Sequence, residues 1–596
     1  MIKYKLWKPS EEVLCAPLLA MDTETELIVD HNIPDVVLLQ VYDGKSVQLV
    51  NWQNIPAYLE ECAVWNAEHV FIFHNAAYDL AVLGYPDFLI KAADKSRVVD
   101  TMFRFSLFKI AQKGFLTQRS LKFACKEMLE IDIEKEDDIR LTFSRAKEPN
   151  KSQLDYAALD PVHTYNLAAA IQAQPTEDIQ VRGAIALDYI SRIGMLIDET
   201  RRKELEEAFN KEIVTHLQVM EDNGYIPGES GNKKILQDYL YMLEKHYEIE
   251  LPRTPKTKAI KTSDASMEEL GEAYLKDRFL QAYKKYVHIN KISKTYLKTS
   301  VIGSDGRVHT RFNPLVITGR TSSGGPNLQN LPKGEGIRGI FIPTPGYYFA
   351  AVDYSQIELC TLAQSIIKWQ GKSVLADKIN EGLDCHRYLA SKVFKKDMKS
   401  ITKKERGFAK IANFGYPGGL SAETFVPYAK GYGMDLTYAE SKDLRDGWLK
   451  AFPEMKDYLN PERQPSNPSR YLGRTITGRL RANCVYTEAC NNPFQGLAAD
   501  GGKEALWNMF LQRIRMVDFI HDETLNEIKI TNPKTITEEV EQIEDTMIKA
   551  MEKVVPDVAI RVESALMDRW YKEAEDQRDD NSYLKLWQPE GEQDGL

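Results

Sequence analysis

Asp22 and Glu24 stand two residues apart at the end of the run LLAMDTET. Side chains two apart on a strand point to the same face, so this pair offers two carboxylates to one pair of metal ions. Alone, a DxE pair is at home in a surface turn. Further along, FIFHNAAYDL places Asn75 and Asp79 at i and i+4, and DYAALD places Tyr156 and Asp160 at i and i+4 on a helix. If the strand and both helices share a face, four carboxylates and a phenol converge. Such a set suits phosphodiester hydrolysis, in which two metal ions activate a water and balance charge on the leaving oxygen. A phenol with an ordinary pKa of about 10 orients that water better than it deprotonates it. A second set lies in the other half of the chain. Asp353 ends the strand-like run YYFAAVDYS, and Asp522 lies between the strand-like runs RMVDFI and LNEIKI. Arg406, Lys410 and Phe414 follow at i, i+4 and i+8, along one helix face. A bare RxxxK also fits a salt-bridged surface helix, so this set takes its meaning from its company.

The elements that must position these residues divide the chain by pattern. Up to about residue 175, short β-branched runs alternate with helical stretches, as in a compact α/β domain. From about 180 to 300 the chain reads as charge-laced helices interrupted by LPRTPKTKAIKT. There Lys284, Lys285, Lys291 and Lys294 interleave with Tyr283, Tyr286 and Tyr296, a pattern that suits a phosphate-tracking face as well as a solvated one. After 300 come Gly/Pro/Asn-rich segments, the strand candidates above and a helix around 400–415. The polar, aperiodic end, EAEDQRDDNSYLKLWQPEGEQDGL, reads as a loosely packed tail.

At 596 residues the chain exceeds one hydrophobic core, and 43% hydrophobic with 28% charged residues match an ordinary water-soluble protein. No run is apolar for the roughly 18 residues a membrane span needs, and MIKYKLWKPSEEVL lacks the apolar stretch of a signal peptide. Cytoplasmic residence is the expectation, in a host cytoplasm if the source is a phage, with an organelle left open. Seven scattered cysteines without a CxxC pair read as reduced core thiols and argue against structural zinc. The net charge of -10 is unusual for a nucleic-acid binder, but a phosphate track needs positive charge only locally.

Taken in order, the Asp22/Glu24, Asn75/Asp79 and Tyr156/Asp160 segments, with Asp100-Thr101, resemble the three exonuclease motifs of the proofreading domain of DNA polymerase I-like enzymes. The series TGRTSSGGPNLQNLP, VDYSQIEL, RGFAKIANFGYPGG, NNPFQG and IHDET resembles the polymerase half of family A DNA polymerases, including phage and organelle replicative types. The resemblance implies an α/β multidomain protein: a ribonuclease H-like exonuclease domain (1–178), then a right hand. The hand divides into thumb (179–305), palm (306–395 and 485–572) and fingers (396–484), with a tail at 573–596. It implies 3′→5′ proofreading with Asp22, Glu24, Asp79 and Asp160 as metal ligands and Tyr156 orienting water. It also implies DNA synthesis with Asp353, Asp522 and the Tyr354 carbonyl as ligands, two Mg²⁺ in each site, and Mn²⁺ as a substitute. Glu523 and His521 would flank the polymerase metals and primer end. Arg406, Lys410 and His386 would grip the triphosphate, Lys410 also passing a proton to pyrophosphate. Phe414, Gln356 and Glu358 would line the nucleotide, Glu358 closing the pocket beside the sugar 2′ position. Arg320, Gln329, Asn330 and Gln495 would contact primer, template and minor groove. Partners implied are primer–template DNA and dNTPs, with room for a processivity factor, helicase or primase, and no membrane.

A single-subunit RNA polymerase shares the palm carboxylates, but Glu358 and the proofreading motifs argue against it. A non-catalytic DNA-binding descendant would have no reason to keep six catalytic carboxylates. With Asp22 so near residue 1, no 5′-nuclease region is expected. One departure stands out: relatives carry a tyrosine four residues beyond Phe414, and this chain has Gly418 there. Pro417 is expected to end the helix near Tyr416, and Tyr416 is the candidate to stack on the template base instead.

Overall fold

The computed structural model describes residues 3–66, 68–116, 118–133, 137–332, 334, 336–460 and 470–589. The N-terminal sheet holds six strands: β1 (Tyr4–Leu6), β2 (Leu18–Thr25), β3 (Val36–Tyr42), β4 (Val47–Asn51), β5 (Val70–Phe73) and β6 (Val98–Asp100). Their order is β1-β4-β3-β2-β5-β6. Near-continuous apolar strands such as VVLLQVY are buried on both faces, which requires helices on each side. β2 is central: its first half, Leu18–Ala20, pairs parallel with β5, and the end bearing Asp22 and Glu24 pairs antiparallel with β3. Helices α1 (Ala76–Val82), α2 (Lys151–Ala157) and α3 (Asp160–Ala170) follow, with α1 and α3 packed on β2. The single helix expected across Tyr156 and Asp160 is therefore two. Pro161 has no N–H for the preceding turn and is pre-set for the start of a new helix, so the chain bends at Ala158-Leu159.

Helix α4 (Glu177–Ile193) is buried along most of its length. It precedes the helices that frame the second half: α5 (Ile357–Gln370), α6 (Cys385–Phe394), α7 (Lys403–Gly415), α8 (Ala422–Lys430) and the long α9 (Tyr486–Leu511). α4 packs on α1 with one side and on α9 with the other, which joins the two halves. A second sheet, wholly antiparallel, holds β7 (Tyr347–Tyr354), β8 (Met516–Ile520), β9 (Glu523–Lys529) and β10 (Val562–Met567) in the order β8-β9-β7-β10. α7 begins in a capping box, in which Thr402 and Glu405 satisfy each other's backbone donors, and ends at Gly415 as the following proline requires.

Between the two sheets in chain order, helices Glu199–Glu221, Asn232–Tyr247 and Arg278–Ile292 share a separate apolar cluster. In the lysine–tyrosine interleave there, Lys284 pairs with Asp264 and Glu268, Tyr283 packs into the cluster and Tyr296 donates to the Asn327 carbonyl, while Lys285, Lys291 and Lys294 are exposed. Nor is the C-terminal stretch loose as far as residue 589. Leu584 is buried and the Trp587 N–H donates to the Leu566 carbonyl at 2.8 Å, which lays the segment along β10. All seven cysteines are free thiols, six of them buried. Among the described residues no helix is long and apolar enough to cross a membrane.

Candidate active sites

At the end of β2, carboxylate oxygens of Asp22, Glu24 and Asp160 all lie within 4.8 Å of one another. The pleat puts Asp22 and Glu24 on one face, and the bend before Pro161 brings Asp160 to meet them. Tyr156 stands beside this group. Burial, and then the Asp160, Glu24 and Asp22 carboxylates, push its phenol well above the ordinary value, so it stays protonated and able to donate. Asp79 departs from the expected convergence of four. It lies outside the group of three drawn within 4.8 Å, is buried, and accepts the Thr23 hydroxyl at 2.7 Å, Thr23 alternating away from Asp22 and Glu24. Burial raises the Asp79 carboxyl to about 7 despite that hydrogen bond. Asp100 is a scaffold: it accepts N–H groups of Asn75, Ala76 and Met102, fixing the turn in which Asn75 adopts φ 81°.

The second site is a cleft of roughly 1210 Å³ floored by β7 and the β8–β9 turn and walled by α7. Asp353 lies one residue before the end of β7, opposite Glu523 on β9 and Glu563 on β10. Asp522 occupies the two-residue turn between Ile520 and Glu523, a reversal in which His521 takes φ 63°. Burial, and then each other's charge and that of Glu523, raise the Asp353 carboxyl. Asp522 is raised by burial and partly relieved by the Arg320 guanidinium. Asp353 Oδ1 is buried with no hydrogen-bond partner. A buried, repelling pair of carboxylates with an orphaned oxygen is a donor set in need of cations, and the residues fit divalent ions. The Tyr354 side chain is turned to the core, its hydroxyl donating to the Met547 carbonyl at 2.6 Å.

The residues spaced at i, i+4 and i+8 form one wall: Arg406, Lys410 and Phe414 all line the cleft, with Lys410 Nζ 5.9 Å from the Phe414 ring centre. Arg406 is anchored by Asp384, whose carboxylate also caps the start of α6. His386, on that first turn, lies 5.8 Å from the Phe414 ring and is held at Nδ1 by Asn413. Burial pushes its imidazole down to about 4, so it is neutral at neutral pH. Glu358 lines the cleft and pairs with Arg320. Gln356, Gln495 and His521 line it too, Gln356 accepting the Cys385 N–H from the start of α5. Burial, then Arg320, lower the His521 imidazole.

Three expected contacts do not reach the cleft lining. Gln329 is buried, donating its amide to Thr321 Oγ1 and the Phe519 carbonyl, each at 2.9 Å. Asn330 is exposed, bonded to Asn327. Tyr416 is corrected outright: its ring is fully buried, stacked on Phe425 at 4.3 Å and against Trp448, with its hydroxyl donating to the Ser441 carbonyl. The helix ends where Pro417 dictates, but the residue at that end turns into the core. Sequence patterns missed Glu563, which accepts the Ser355 hydroxyl, and Lys572, which pairs with Glu523. They missed Tyr428 and Tyr432, which also line the cleft. None of these four lies in a motif, and only the fold brings Glu563 and Lys572 to the carboxylates and the two tyrosines to the cleft.

Comparison with known proteins matches residues 202–572 to DNA polymerase family A and residues 6–174 to a 3′-5′ exonuclease. DNA polymerase I of Aquifex aeolicus is 32% identical over 345 residues, 56% of this chain and 57% of that protein. DNA polymerase I of Bacillus subtilis is 30% identical over 430 residues, 67% of this chain and 46% of that protein. The matches thus span about half the length of these relatives. The solved POL domain of Pol1 from M. smegmatis, in complex with DNA primer-template and dNTP, superposes with a TM-score of 0.70 over 93% of this chain and 95% of that one. At 22% identity that likeness speaks for the shared mixed α/β, multidomain fold. With an N-terminal exonuclease domain and more than half its length matched to the polymerase model, the chain belongs to DNA polymerase family A.

Proposed function

We propose that this chain extends a DNA primer along a template by phosphoryl transfer from dNTPs and trims primer 3′ ends by hydrolysis, in DNA replication. The observation that carries the reading is the cleft that Asp353 and Asp522, both raised and Asp353 with an unbonded buried oxygen, share with Arg406 and Lys410. Asp353, Asp522 and the Tyr354 carbonyl would hold Mg²⁺ in the cleft, with Mn²⁺ as a substitute, and Asp22, Glu24 and Asp160 would hold it in the exonuclease site, Asp79 supporting from behind. Bound divalent ions supply charge neutralisation at phosphorus and ease deprotonation of the attacking hydroxyl or water.

The chain's own residues do the rest. Arg406 and Lys410 bind the triphosphate, and Lys410 can donate a proton to the departing pyrophosphate oxygen. Neutral His386 offers an Nε2 hydrogen bond without adding charge, and Phe414 supports the sugar. Glu358, held by Arg320, fills the space beside the 2′ position. Gln495 contacts the duplex from the cleft wall. Gln329 and Asn330 act through the segment they stiffen rather than by lining the cleft. Tyr156, kept protonated, orients the water at the exonuclease site. The division into exonuclease (1–178), thumb (179–305), palm (306–395 and 485–572) and fingers (396–484) belongs to the same reading, with α4 as the seam. A processivity factor, helicase or primase remains a natural partner class.

The test is extension of a labelled primer on a template in Mg²⁺, with dNTPs, with rNTPs and without nucleotide. Lengthening with dNTPs, little with rNTPs and shortening without nucleotide are expected. Lengthening that ignores the template, or none at all, would overturn the reading.

A further inference from the structure

Beyond Phe414 the cleft lining passes through two glycines, Gly415 and Gly418. A Cβ on Gly418 would sit 2.8 Å from Asn491 Nδ2, and one on Gly419, at φ +83°, would sit 2.7 Å from the Tyr486 ring. Residues 418 and 419 are thus pressed onto α9 and have no room for a ring, while the Tyr416 ring is committed to the core. The next helix fills the place. Tyr428, on α8, lies against Gly415, where an added Cβ would meet its Cε1 at 3.0 Å, and its half-buried ring lines the cleft. Tyr432 stands 5.2 Å from it at 58° and is 62% exposed while also lining the cleft. Two phenol rings open to a cleft whose neighbouring wall is Arg406 and Lys410 make a surface for a flat aromatic partner that carries negative charge nearby, which describes a nucleotide.

We propose that Tyr428 and Tyr432, whose rings meet as a corner, hold a nucleobase, namely the template base awaiting copying, with the Tyr428 ring against its face and the Tyr432 ring against its edge. The incoming nucleotide is the other source of a base. It is the less fitting one because the α7 face of Arg406, Lys410 and Phe414 already offers phosphate and sugar contacts. The proposal rests on the polymerase reading above and adds to it the residues that hold the template. Stacking on an aromatic side chain is sequence-tolerant, as a template site must be.

The test uses the full chain carrying Asp22→Ala, so that trimming is silent, and a primer–template with 2-aminopurine at the templating position. Without dNTP, binding by the parent should quench the fluorescence. Tyr428→Ala should restore it and lower insertion efficiency about tenfold or more, with Tyr428→Phe close to the parent. Tyr432→Ala removes a mostly exposed ring that folding does not need, and should shift both readouts the same way by less. Unchanged quenching and insertion in Tyr428→Ala and Tyr432→Ala would overturn the proposal. Unchanged quenching with a raised apparent Kd for dNTP would overturn it too, by assigning the rings to the incoming base. A parent that fails to extend the primer would instead sink the polymerase reading itself.

Discussion

Asp353 and Asp522 could be found from their sequence because each stands in a short motif at a strand end, Asp353 within the last two residues of β7 and Asp522 in the turn from β8 to β9, and the strands fix where the carboxylates lie. What the motifs could not convey is how poorly the empty fold tolerates that pair. An acid whose folded pKa is raised binds its proton more tightly in the folded state. Its favourable contribution is complete below the unfolded value of about 4 and is lost as pH rises towards the raised folded value. The two aspartates, with Glu523 beside them, should therefore destabilise the metal-free fold increasingly from about pH 4 upward into the neutral range. Mg²⁺ should accordingly raise the melting temperature more at about pH 8 than at about pH 5.5. Asp353→Asn should stabilise the metal-free protein at the higher pH and shrink the Mg²⁺ effect. Equal Mg²⁺ shifts at both pH values, read by calorimetry, would contradict this. Tyr416 shows the limit of reading single residues. Its direction is set by Phe425 and Trp448, which arrive from later helices, and no local spacing encodes that packing.

At the scale of elements, the helix face of Arg406, Lys410 and Phe414 was legible because 3.6-residue periodicity is local. The turn that presents Arg320 was not. Val316 and Arg320 close that turn through a backbone bond of 2.9 Å, and buried groups clamp it from behind. Arg479 donates to the Thr318 carbonyl and to Asp500, and Lys503 donates to the Gly319 carbonyl at 2.7 Å. Gly319, at φ +92°, has the Arg479 guanidinium where a Cβ would go. Gly319→Ala should thus cost about 1–3 kcal/mol in backbone strain, plus whatever Arg479 loses on moving, and weaken extension by displacing Arg320. Gly324→Ala, with nothing within 4 Å, is the control that should leave both unchanged. A Gly319→Ala protein melting and extending like the control would show that the clamp does not position Arg320. The break between α2 and α3 lay in plain sight as Pro161. The i, i+4 spacing of Tyr156 and Asp160 suggested continuity, and the missing N–H decided otherwise.

At the scale of the molecule, the two-part order was legible because composition and motif series change together along the chain. The seam was not. The apolar core beneath the first sheet is completed by Val181, Ala184 and Ile185 of α4, by Leu315 and by Trp507 of α9, whose indole N–H donates to Asp94 at 2.8 Å. The exonuclease half thus borrows core from the polymerase half. Trp507→Ala should cost about 3–5 kcal/mol and lower the melting of both halves together. Two separated transitions, with the polymerase one unmoved, would contradict a shared core.

The chemistry, by contrast, should be separable, since the two carboxylate groups sit on different sheets. The most direct measurement follows one labelled primer–template in Mg²⁺, with and without dNTPs, for the parent, for Asp353→Ala and for Asp22→Ala combined with Glu24→Ala. The expected result is reciprocal: Asp353→Ala trims but does not extend, and the double variant extends but does not trim. Extension by Asp353→Ala, or continued trimming by the double variant, would contradict two independent active sites in this chain.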